Sequence, residues 1–240
     1  MRFIHLGDLH IGKRVNDFLM LEDQEYVFEQ IITIIKEEKI DSVLIAGDVY
    51  DKPVPSLEAV QLFDDFLTRL VKENVQIYII SGNHDAVERL SFASKLLEKS
   101  NVYFSHGYDG NVQKHIVEDE NGELNIYMLP FIKPLNVKKY YPDVEITSYN
   151  QAVKCIIDNL EIDTTKRNVM VAHQFVTGAS ICDSEELSIG GLENIDASLF
   201  DDFDYVLGDY AYGKLRLKGF NNKDNKNFKP INDISTLDDY

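Results

Sequence analysis

The sequence predicts an α/β fold built around parallel strands. Over the first 100 residues, short runs rich in Val and Ile alternate with longer segments that repeat apolar residues every three or four positions. The first pattern is typical of buried strands and the second of amphipathic helices. Four apolar runs along the chain end directly before polar, metal-capable side chains. Together these observations indicate a sheet covered on both faces, with a site beyond the carboxyl ends of its strands.

The first half of the chain is predicted to contain four strands and three helices. The predicted strands are residues 2–6, 42–47, 75–81 and 101–105. The predicted helices are residues 21–38, 55–73 and 86–100. Pro55 and Ser56 form a helix-start signal. In the first helix the apolar spacing is carried by Tyr26 or Val27, Gln30 or Ile31, Ile34 and Ile35.

The second half of the chain lacks the regular alternation of strand and helix patterns. Two strand-like runs flank Asn121-Gly122, which predicts a hairpin. A helix is predicted at 148–160, followed by buried strands at 168–173 and 203–208. Residues 181–204 are acidic, hold no Lys or Arg, and are predicted to form a loop with a short helix. From about residue 218 the chain is rich in Asn, Asp and Lys, which predicts a disordered or loosely packed tail.

The net charge of −17 argues against binding nucleic acid through the overall field of the protein. The acids could instead surround metal ions, a partner could provide a basic surface, or the charge could simply keep the protein soluble. The two cysteines, Cys155 and Cys182, form no CxxC pair, which favours a reducing cytoplasm over a disulfide scaffold. The charged first residues are unlike a signal peptide, and the apolar runs are too short to span a bilayer.

Metal-capable side chains follow four of the predicted strands. They are Asp8 and His10, then Asp48 with Asp51 nearby, then Asn83, His84 and Asp85, and finally His173. Asp8 and His10 are two positions apart, so an extended backbone points both to one side. Singly, Asp8 has a simpler interpretation as a turn residue, and His173 as a histidine of the core or of the sheet edge. Their recurrence after four strands predicts a shared site.

The mixture of side chains indicates the chemistry of that site. Carboxylates, imidazoles and an amide oxygen suit Mn²⁺, Fe²⁺ or Zn²⁺ better than Ca²⁺. No cysteine lies near these residues in the sequence, which argues against a structural zinc site. Asp48 is the best candidate to bridge two ions. Two ions roughly 3.5–4 Å apart can clamp a phosphate ester and generate a nucleophilic hydroxide. His84 could donate a proton to the leaving oxygen or stabilise charge in the transition state.

The segments GDLHIG, LIAGDVYD, SGNHD and VAHQF resemble the calcineurin-like metallophosphoesterases. The segment SIGGLENIDASLFDDFDYV narrows the resemblance to the SbcD family, the nuclease subunits of bacterial SbcCD DNA-repair complexes. The resemblance extends from residue 1 to about 207, which is most of the chain.

The resemblance implies a four-layer α/β/β/α sandwich with its metal site at the carboxyl ends of the strands. It implies two Mn²⁺ ions and cleavage of phosphodiester bonds in DNA. The implied metal ligands are Asp8, His10, Asp48, Asn83 and His173, with Asp48 bridging. His84 corresponds to the catalytic histidine, and Asp85 is expected to orient it. The implied partner is an SbcC-type ATPase, with two nuclease subunits forming a homodimer within a heterotetramer.

The chain departs from this family after residue 207. The family has Gly-His-x-His after the last strand, whereas Gly208 is followed here by Asp209, Tyr210 and Ala211. Asp209 could still coordinate a metal, Ala211 could not, and Tyr210 or Tyr212 could serve as a weak ligand. We therefore expect a phosphoesterase domain at 1–207 and a divergent tail at 208–240 without a capping domain.

Two origins of the tail are open at this point. A frame disruption near codon 206 would explain the abrupt loss of resemblance, and a naturally divergent variant is the alternative. Reading the gene in its other two frames separates the two. Two other functions are also open: hydrolysis of a phosphodiester or phosphoprotein other than DNA, and a folded remnant that cannot hold both metals.

Overall fold

The computed structural model describes residues 1–176 and 194–208. The chain divides into two compact units, Met1–Gly107 and Tyr108–Tyr240. Within the described residues, no helix combines the length and apolar character needed to cross a bilayer.

The first unit contains a four-stranded sheet, a small hairpin and four helices. Its strands are β1 (Phe3–Leu6), β2 (Arg14–Val15), β3 (Phe18–Leu19), β4 (Ser42–Ala46), β5 (Gln76–Ile80) and β6 (Val102–Phe104). Its helices are α1 (Leu21–Glu38), α2 (Leu57–Lys72), α3 (Val87–Leu90) and α4 (Ser94–Leu97), the last continuing into a 3₁₀ turn at Glu98–Ser100. The main sheet has the order β1-β4-β5-β6 and is parallel throughout. The predicted parallel α/β arrangement is thus confirmed.

Helix α1 has the predicted bounds, and the predicted Ile35 is buried with Ile31 packed beside the core, but the rest of the inward face differs from the prediction. The buried side chains of the helix are Phe28, Ile32 and Ile35. Three of the residues in the predicted pattern are exposed instead, namely Tyr26 at 66%, Val27 at 49% and Ile34 at 46%. The apolar stripes of this helix overlap, and packing selects one of them: the ring of Phe28 stacks on Phe66 of α2, with centroids 4.2 Å apart.

The single helix predicted at 86–100 is wrong. The chain forms α3, then α4, then the 3₁₀ turn. Ala93, between α3 and α4, has a left-handed backbone with φ +62°. Because a right-handed helix cannot pass through that conformation, the segment breaks there. Helix α2 does follow its prediction, and the Ser56 hydroxyl accepts the Ala59 N–H as its N-cap.

In its described residues, the second unit is a mixed sheet with two α-helices and a 3₁₀ turn at Ala197–Phe200. Its strands are β7 (Gln113–Asp119), β8 (Gly122–Leu129), β9 (Arg167–Ala172) and β10 (Tyr205–Leu207). Its helices are α5 (Pro134–Lys138), which the sequence analysis missed, and α6 (Tyr149–Asp158). The sheet order is β10-β9-β8-β7, antiparallel between β7 and β8 and otherwise parallel. The predicted hairpin is confirmed, but its turn residues are Glu120 and Asn121, and Gly122, at φ +94°, begins β8 opposite Asp119.

Two buried asparagines join β8 and β9 at a directly opposed position. The amide of Asn125 donates to the Asn168 side-chain oxygen at 3.0 Å. The Asn168 amide donates in turn to the carbonyls of Asp163 at 2.9 Å and Lys166 at 3.0 Å. Asn168 therefore ties the start of β9 both to its neighbour and to the preceding turn.

We expect Asn168→Ala to lower the free energy of unfolding by about 3 kcal/mol. The substitution leaves the buried Asn125 amide and two carbonyls without their partners, and each such loss costs about 1–3 kcal/mol before water compensates. Urea denaturation measures the effect. Asn111→Ala, at an exposed position in the same unit, is the control and should change stability by less than about 0.5 kcal/mol. Equal effects of the two substitutions would contradict the assigned role of Asn168.

Candidate metal centre

The candidate centre lies at the carboxyl edge of the first sheet, where the chain leaves β1 and β4 through unusual backbone conformations. Asp8, His10 and Asp48 have positive φ angles of 50°, 40° and 48°. Positive φ is uncommon outside glycine, and such conformations concentrate at functional sites. Gly47, directly before Asp48, has φ +85°. Both loops thus turn sharply at the predicted residues, and the extended backbone expected from Asp8 to His10 is wrong.

The two loops are held side by side by backbone hydrogen bonds. The N–H of Asp8 donates to the Gly47 carbonyl at 3.3 Å, and the N–H of His10 to the Asp48 carbonyl at 2.9 Å. The N–H of Ile11 donates to the Val49 carbonyl at 2.9 Å. The contact between neighbouring parallel strands therefore continues beyond the sheet, and it brings His10 beside Asp48.

Three side chains converge at this edge. The His10 Nε2 lies 3.7 Å from Asp48 Oδ2, and the His84 Nε2 lies 4.0 Å from the same oxygen. The two imidazole rings are perpendicular, with centroids 4.9 Å apart. One ligand atom from each of the three residues lies within 4.8 Å of the others. A buried carboxylate between two imidazoles is a donor set that fits Mn²⁺, Fe²⁺ or Zn²⁺.

The electrostatics of His10 suit a neutral ligand. Burial lowers the pKa of His10 below its usual value of 6.5, and the charges of Lys13 and His84 lower it further. The carboxylates of Asp48 and Asp51 act in the opposite direction. Since a metal binds the deprotonated imidazole, a lowered pKa keeps His10 available for coordination near neutral pH.

The position of His84 is fixed from two sides. The backbone N–H of His84 donates to Asp48 Oδ1 at 2.8 Å, and the ring Nδ1 lies 3.1 Å from the Asp51 carbonyl oxygen. Because a carbonyl only accepts, Nδ1 carries the proton, and in the neutral ring Nε2 is then the free acceptor. That nitrogen is the one that faces Asp48.

Asp85 binds the backbone of both neighbouring loops. Its carboxylate accepts the N–H groups of Gly82 at 2.9 Å, Val49 at 3.1 Å and Tyr50 at 3.0 Å. Burial raises the pKa of Asp85, while the three N–H donors lower it by stabilising the ionised form. Asp85 therefore locks the loop after β5, which carries His84, to the loop after β4, which carries Asp48.

Gly82 lies against Asp48 so closely that no side chain fits. A Cβ built on Gly82 would lie 2.1 Å from Asp48 Oδ1 and 2.3 Å from the Asp48 backbone nitrogen. Its φ angle is not in the left-handed region, so lack of space, rather than backbone conformation, requires glycine here.

Gln24 is a supporting residue that the sequence analysis missed. From α1, its amide donates to the carbonyls of Leu9 and His10, both at 2.9 Å, and its oxygen accepts the Gly12 N–H at 3.0 Å. Three bonds from one side chain thus hold the loop that carries His10. A lone glutamine in an amphipathic helix has no sequence pattern that would reveal this role.

We expect Gln24→Ala to weaken divalent-metal binding roughly 10- to 100-fold, the usual cost of losing a residue that orients a ligand. Titration with Mn²⁺ by calorimetry measures the change. Glu25→Ala is the matched control on the exposed face of α1 and should leave the affinity unchanged. An unaltered affinity in the Gln24 variant would show that the loop holds its shape without this side chain.

The other selected residues are placed as follows. Asp8 is half-buried after β1, and Asn83 is exposed on the same loop as His84. His173 follows β9 in the second unit, where it is buried and lies near Phe131, with ring centroids 6.4 Å apart. Asp209, Tyr210, Ala211 and Tyr212 lie outside the described residues. The structure of the first unit thus brings together His10, Asp48 and His84, with Asp85 beneath them.

Comparison with known proteins agrees with this geometry. Residues 1–200 match the family model of the calcineurin-like phosphoesterases, and the chain belongs to that family. The family is metal-dependent and hydrolyses phosphoesters. The chain is 34% identical over 213 residues to SbcD of the nuclease SbcCD from Staphylococcus epidermidis, an alignment that covers 86% of this chain and 55% of the relative. The chain therefore spans about half the length of that curated relative.

Two further similarities were found. Residues 185–240 match a second family model, YutD-like, which overlaps the end of the phosphoesterase match. Among solved structures, Yfce, a phosphoesterase from E. coli, aligns with a TM-score of 0.29 and 13% identity, covering 53% of this chain and 56% of that one.

Proposed function

We propose that this chain is the catalytic part of an SbcD-type nuclease that hydrolyses phosphodiester bonds in DNA. The observation that carries the proposal is the cluster of His10, Asp48 and His84 at the carboxyl edge of the first sheet. The 34% identity to a nuclease subunit from S. epidermidis supports a nucleic acid as the substrate, and we propose DNA. In this role the chain would act in DNA repair and recombination in the cytoplasm.

The donor set fits two divalent ions, and we propose Mn²⁺. Asp8, His10, Asp48 and Asn83 are the proposed ligands on the loops of the first unit, and His173 is proposed on its motif. Asp48 is the proposed bridging ligand, since its carboxylate already lies between two imidazoles. When bound, such ions neutralise charge on the phosphate and activate water as a nucleophile.

The chain's own residues then position and protonate the substrate. His84 presents Nε2 toward the centre while the Asp51 carbonyl fixes its other nitrogen. A protonated His84 can donate to the leaving oxygen or stabilise charge as it develops there. The Asp85 carboxylate accepts three hydrogen bonds from backbone N–H groups of the two loops. We therefore propose Asp85 as a positioning residue that holds these loops together.

A partner subunit with a basic surface would offset the repulsion between this acidic chain and DNA. With a net charge of −17, the chain is poorly suited to attract DNA by itself. We propose an SbcC-type ATPase as the partner that brings DNA to the site, in an assembly that contains a homodimer of the nuclease subunit.

Asp209 and Ala211 favour a second candidate, an impaired enzyme. They stand where the family has its final pair of histidines, one for each metal. Losing one ligand from each ion would weaken both sites, so we propose that the isolated chain binds Mn²⁺ weakly and cleaves DNA poorly. The YutD-like match of residues 185–240 favours a naturally divergent tail over a frame disruption.

The test compares two substrates with the purified chain and Mn²⁺: linear duplex DNA and a chromogenic phosphodiester. We expect slow DNA cleavage that disappears in Asp48→Ala and His84→Ala and persists in the control His106→Ala. Hydrolysis of the small diester without DNA cleavage would instead indicate a non-DNA substrate. No hydrolysis of either would indicate the impaired remnant. A calorimetric Mn²⁺ titration counts the sites, and two tight sites would mean that Asp209 or a tyrosine replaces the missing histidines.

A further inference from the structure

The β2–β3 hairpin is an exposed element that the proposed chemistry does not use. Its turn residues, Asn16 and Asp17, both have positive φ angles, 47° and 66°, as in the tight turns that suit two-residue hairpins. Its strands leave three apolar side chains in solvent: Val15 is 40% exposed, Phe18 75% and Leu19 42%. An aromatic side chain this exposed at the end of a short hairpin contributes little to the fold.

The hairpin is anchored directly to the loop of the metal centre. The N–H of Lys13 donates to the His10 carbonyl at 3.0 Å, and the N–H of Met20 donates to the Lys13 carbonyl at 3.0 Å. Gln24 holds the same loop through His10 and Gly12. The position of the hairpin relative to His10 is therefore set by hydrogen bonds and not by the turn alone.

One face of the hairpin combines an aromatic ring with a cation. Val15 and Phe18 are directly opposed and so share a face. The hydrogen bond from the Met20 N–H to the Lys13 carbonyl extends the strand pairing by one residue beyond β2, so alternation puts Lys13 on the same face as Val15. The guanidinium of Arg14 is engaged in closing the turn, where it donates to the Asp17 carbonyl at 3.2 Å.

We propose that this face, formed by Lys13, Val15 and Phe18, binds single-stranded DNA next to the metal centre, with a base stacked on Phe18 and a phosphate at Lys13. The inference rests on the proposed function and names the element that guides a strand into the site. Exposed aromatic rings beside cations are the usual platform for single strands, because every base offers a π-face. In a chain of net charge −17, a local cation is needed for phosphate contact.

The stacking role predicts that Phe18→Ala weakens binding of a short fluorescent oligothymidylate about tenfold. Fluorescence anisotropy measures the affinity with Mn²⁺ present, in a His84→Ala background that prevents cleavage. Phe92→Ala removes an equally exposed ring, 80% exposed, from a different segment and should leave the affinity unchanged. Circular dichroism confirms that both variants are folded.

The phosphate contact has a separate readout in salt dependence. Lys13→Gln should reduce the slope of log affinity against log salt by about 0.7, the value for one lost contact to a single strand. Lys99→Gln, an exposed lysine after α4, should leave the slope unchanged. A perturbed metal site would lower the affinity at every salt concentration without changing the slope, so the slope reports the phosphate contact specifically.

The outcomes separate the hairpin from the function as a whole. If the wild-type chain cleaves DNA and the Phe18 and Phe92 variants bind oligothymidylate equally, the hairpin proposal is wrong and the nuclease proposal stands. If the wild-type chain hydrolyses only the chromogenic diester, the DNA substrate is wrong. An oligothymidylate that does not bind the His84→Ala chain at all also overturns the hairpin proposal, and would leave a protein partner as the occupant of this face.

Discussion

Gly82→Ala is expected to remove the Mn²⁺ binding that the wild-type chain retains and to reduce hydrolysis to background. The added Cβ would lie 2.1 Å from Asp48 Oδ1, 2.3 Å from its backbone nitrogen and 2.7 Å from its Cγ. Since a backbone atom is among the three, rotation of the Asp48 side chain cannot relieve the clash. Asp48 must move away from His10 and His84, and we expect the Mn²⁺ affinity to fall roughly 100-fold, the upper end of the usual cost of disturbing the surroundings of a metal.

The matched control is Gly107→Ala. A Cβ there meets only Val87 Cγ1 at 3.6 Å, an ordinary van der Waals distance, and the φ angle of Gly107 is not left-handed. Calorimetric titration with Mn²⁺ compares the two variants, and urea denaturation reports the accompanying strain, which we expect to cost about 1–3 kcal/mol in Gly82→Ala. A folded Gly82→Ala chain that binds Mn²⁺ as strongly as the wild type would contradict the role of Asp48 as a metal ligand.

Asp85→Ala is expected to be the most destabilising change at the site, lowering the free energy of unfolding by about 4 kcal/mol. It leaves the N–H groups of Gly82, Val49 and Tyr50 without their acceptor. Each unsatisfied N–H costs about 1–3 kcal/mol of stability, and hydrogen bonds to water offset part of that cost. Domains are stable by only about 5–15 kcal/mol, so the loss is a large share of the total. Freeing the two loops should also lower metal affinity.

Two further variants make the Asp85 measurement specific. Asp85→Asn keeps the shape and one acceptor oxygen but turns an N–H₂ toward backbone donors, so it should lie between Asp85→Ala and the wild type. Asp143→Ala, at an exposed position, should be nearly neutral. The positioning role predicts that stability and metal affinity fall together across the series. A stable Asp85→Ala chain with normal Mn²⁺ affinity would be incompatible with it.

The strands and the edge residues were predictable because each depends on a local pattern. A buried parallel strand is a short apolar run, and the polar residues that follow it mark its carboxyl end. Because those ends meet at one edge, Asp48 and His84 could be placed together although 36 positions separate them in the chain. The hairpin at Asn121-Gly122 was likewise visible, since a glycine there suits the positive φ with which β8 begins.

Other features had no local pattern. In α1 the apolar residues allow more than one inward stripe, and only contact with α2, through Phe28 and Phe66, selects one. The break at Ala93 runs against the helical propensity of alanine, so local sequence predicted a continuous helix. Helix α5 is a single short turn of five residues, too brief for periodicity to reveal.

By itself, the sequence determined the parallel α/β order of the first unit and the side chains at its carboxyl edge, because hydrophobic periodicity and strand-end motifs are properties of consecutive residues. Only the tertiary structure decided how that edge is held. Gln24 reaches from α1 to the His10 loop, Asp85 joins two loops through three N–H groups, and Gly82 makes room for Asp48. These contacts join backbone and side-chain atoms of residues distant in the chain, and such contacts exist only once the sheet has brought the loops together.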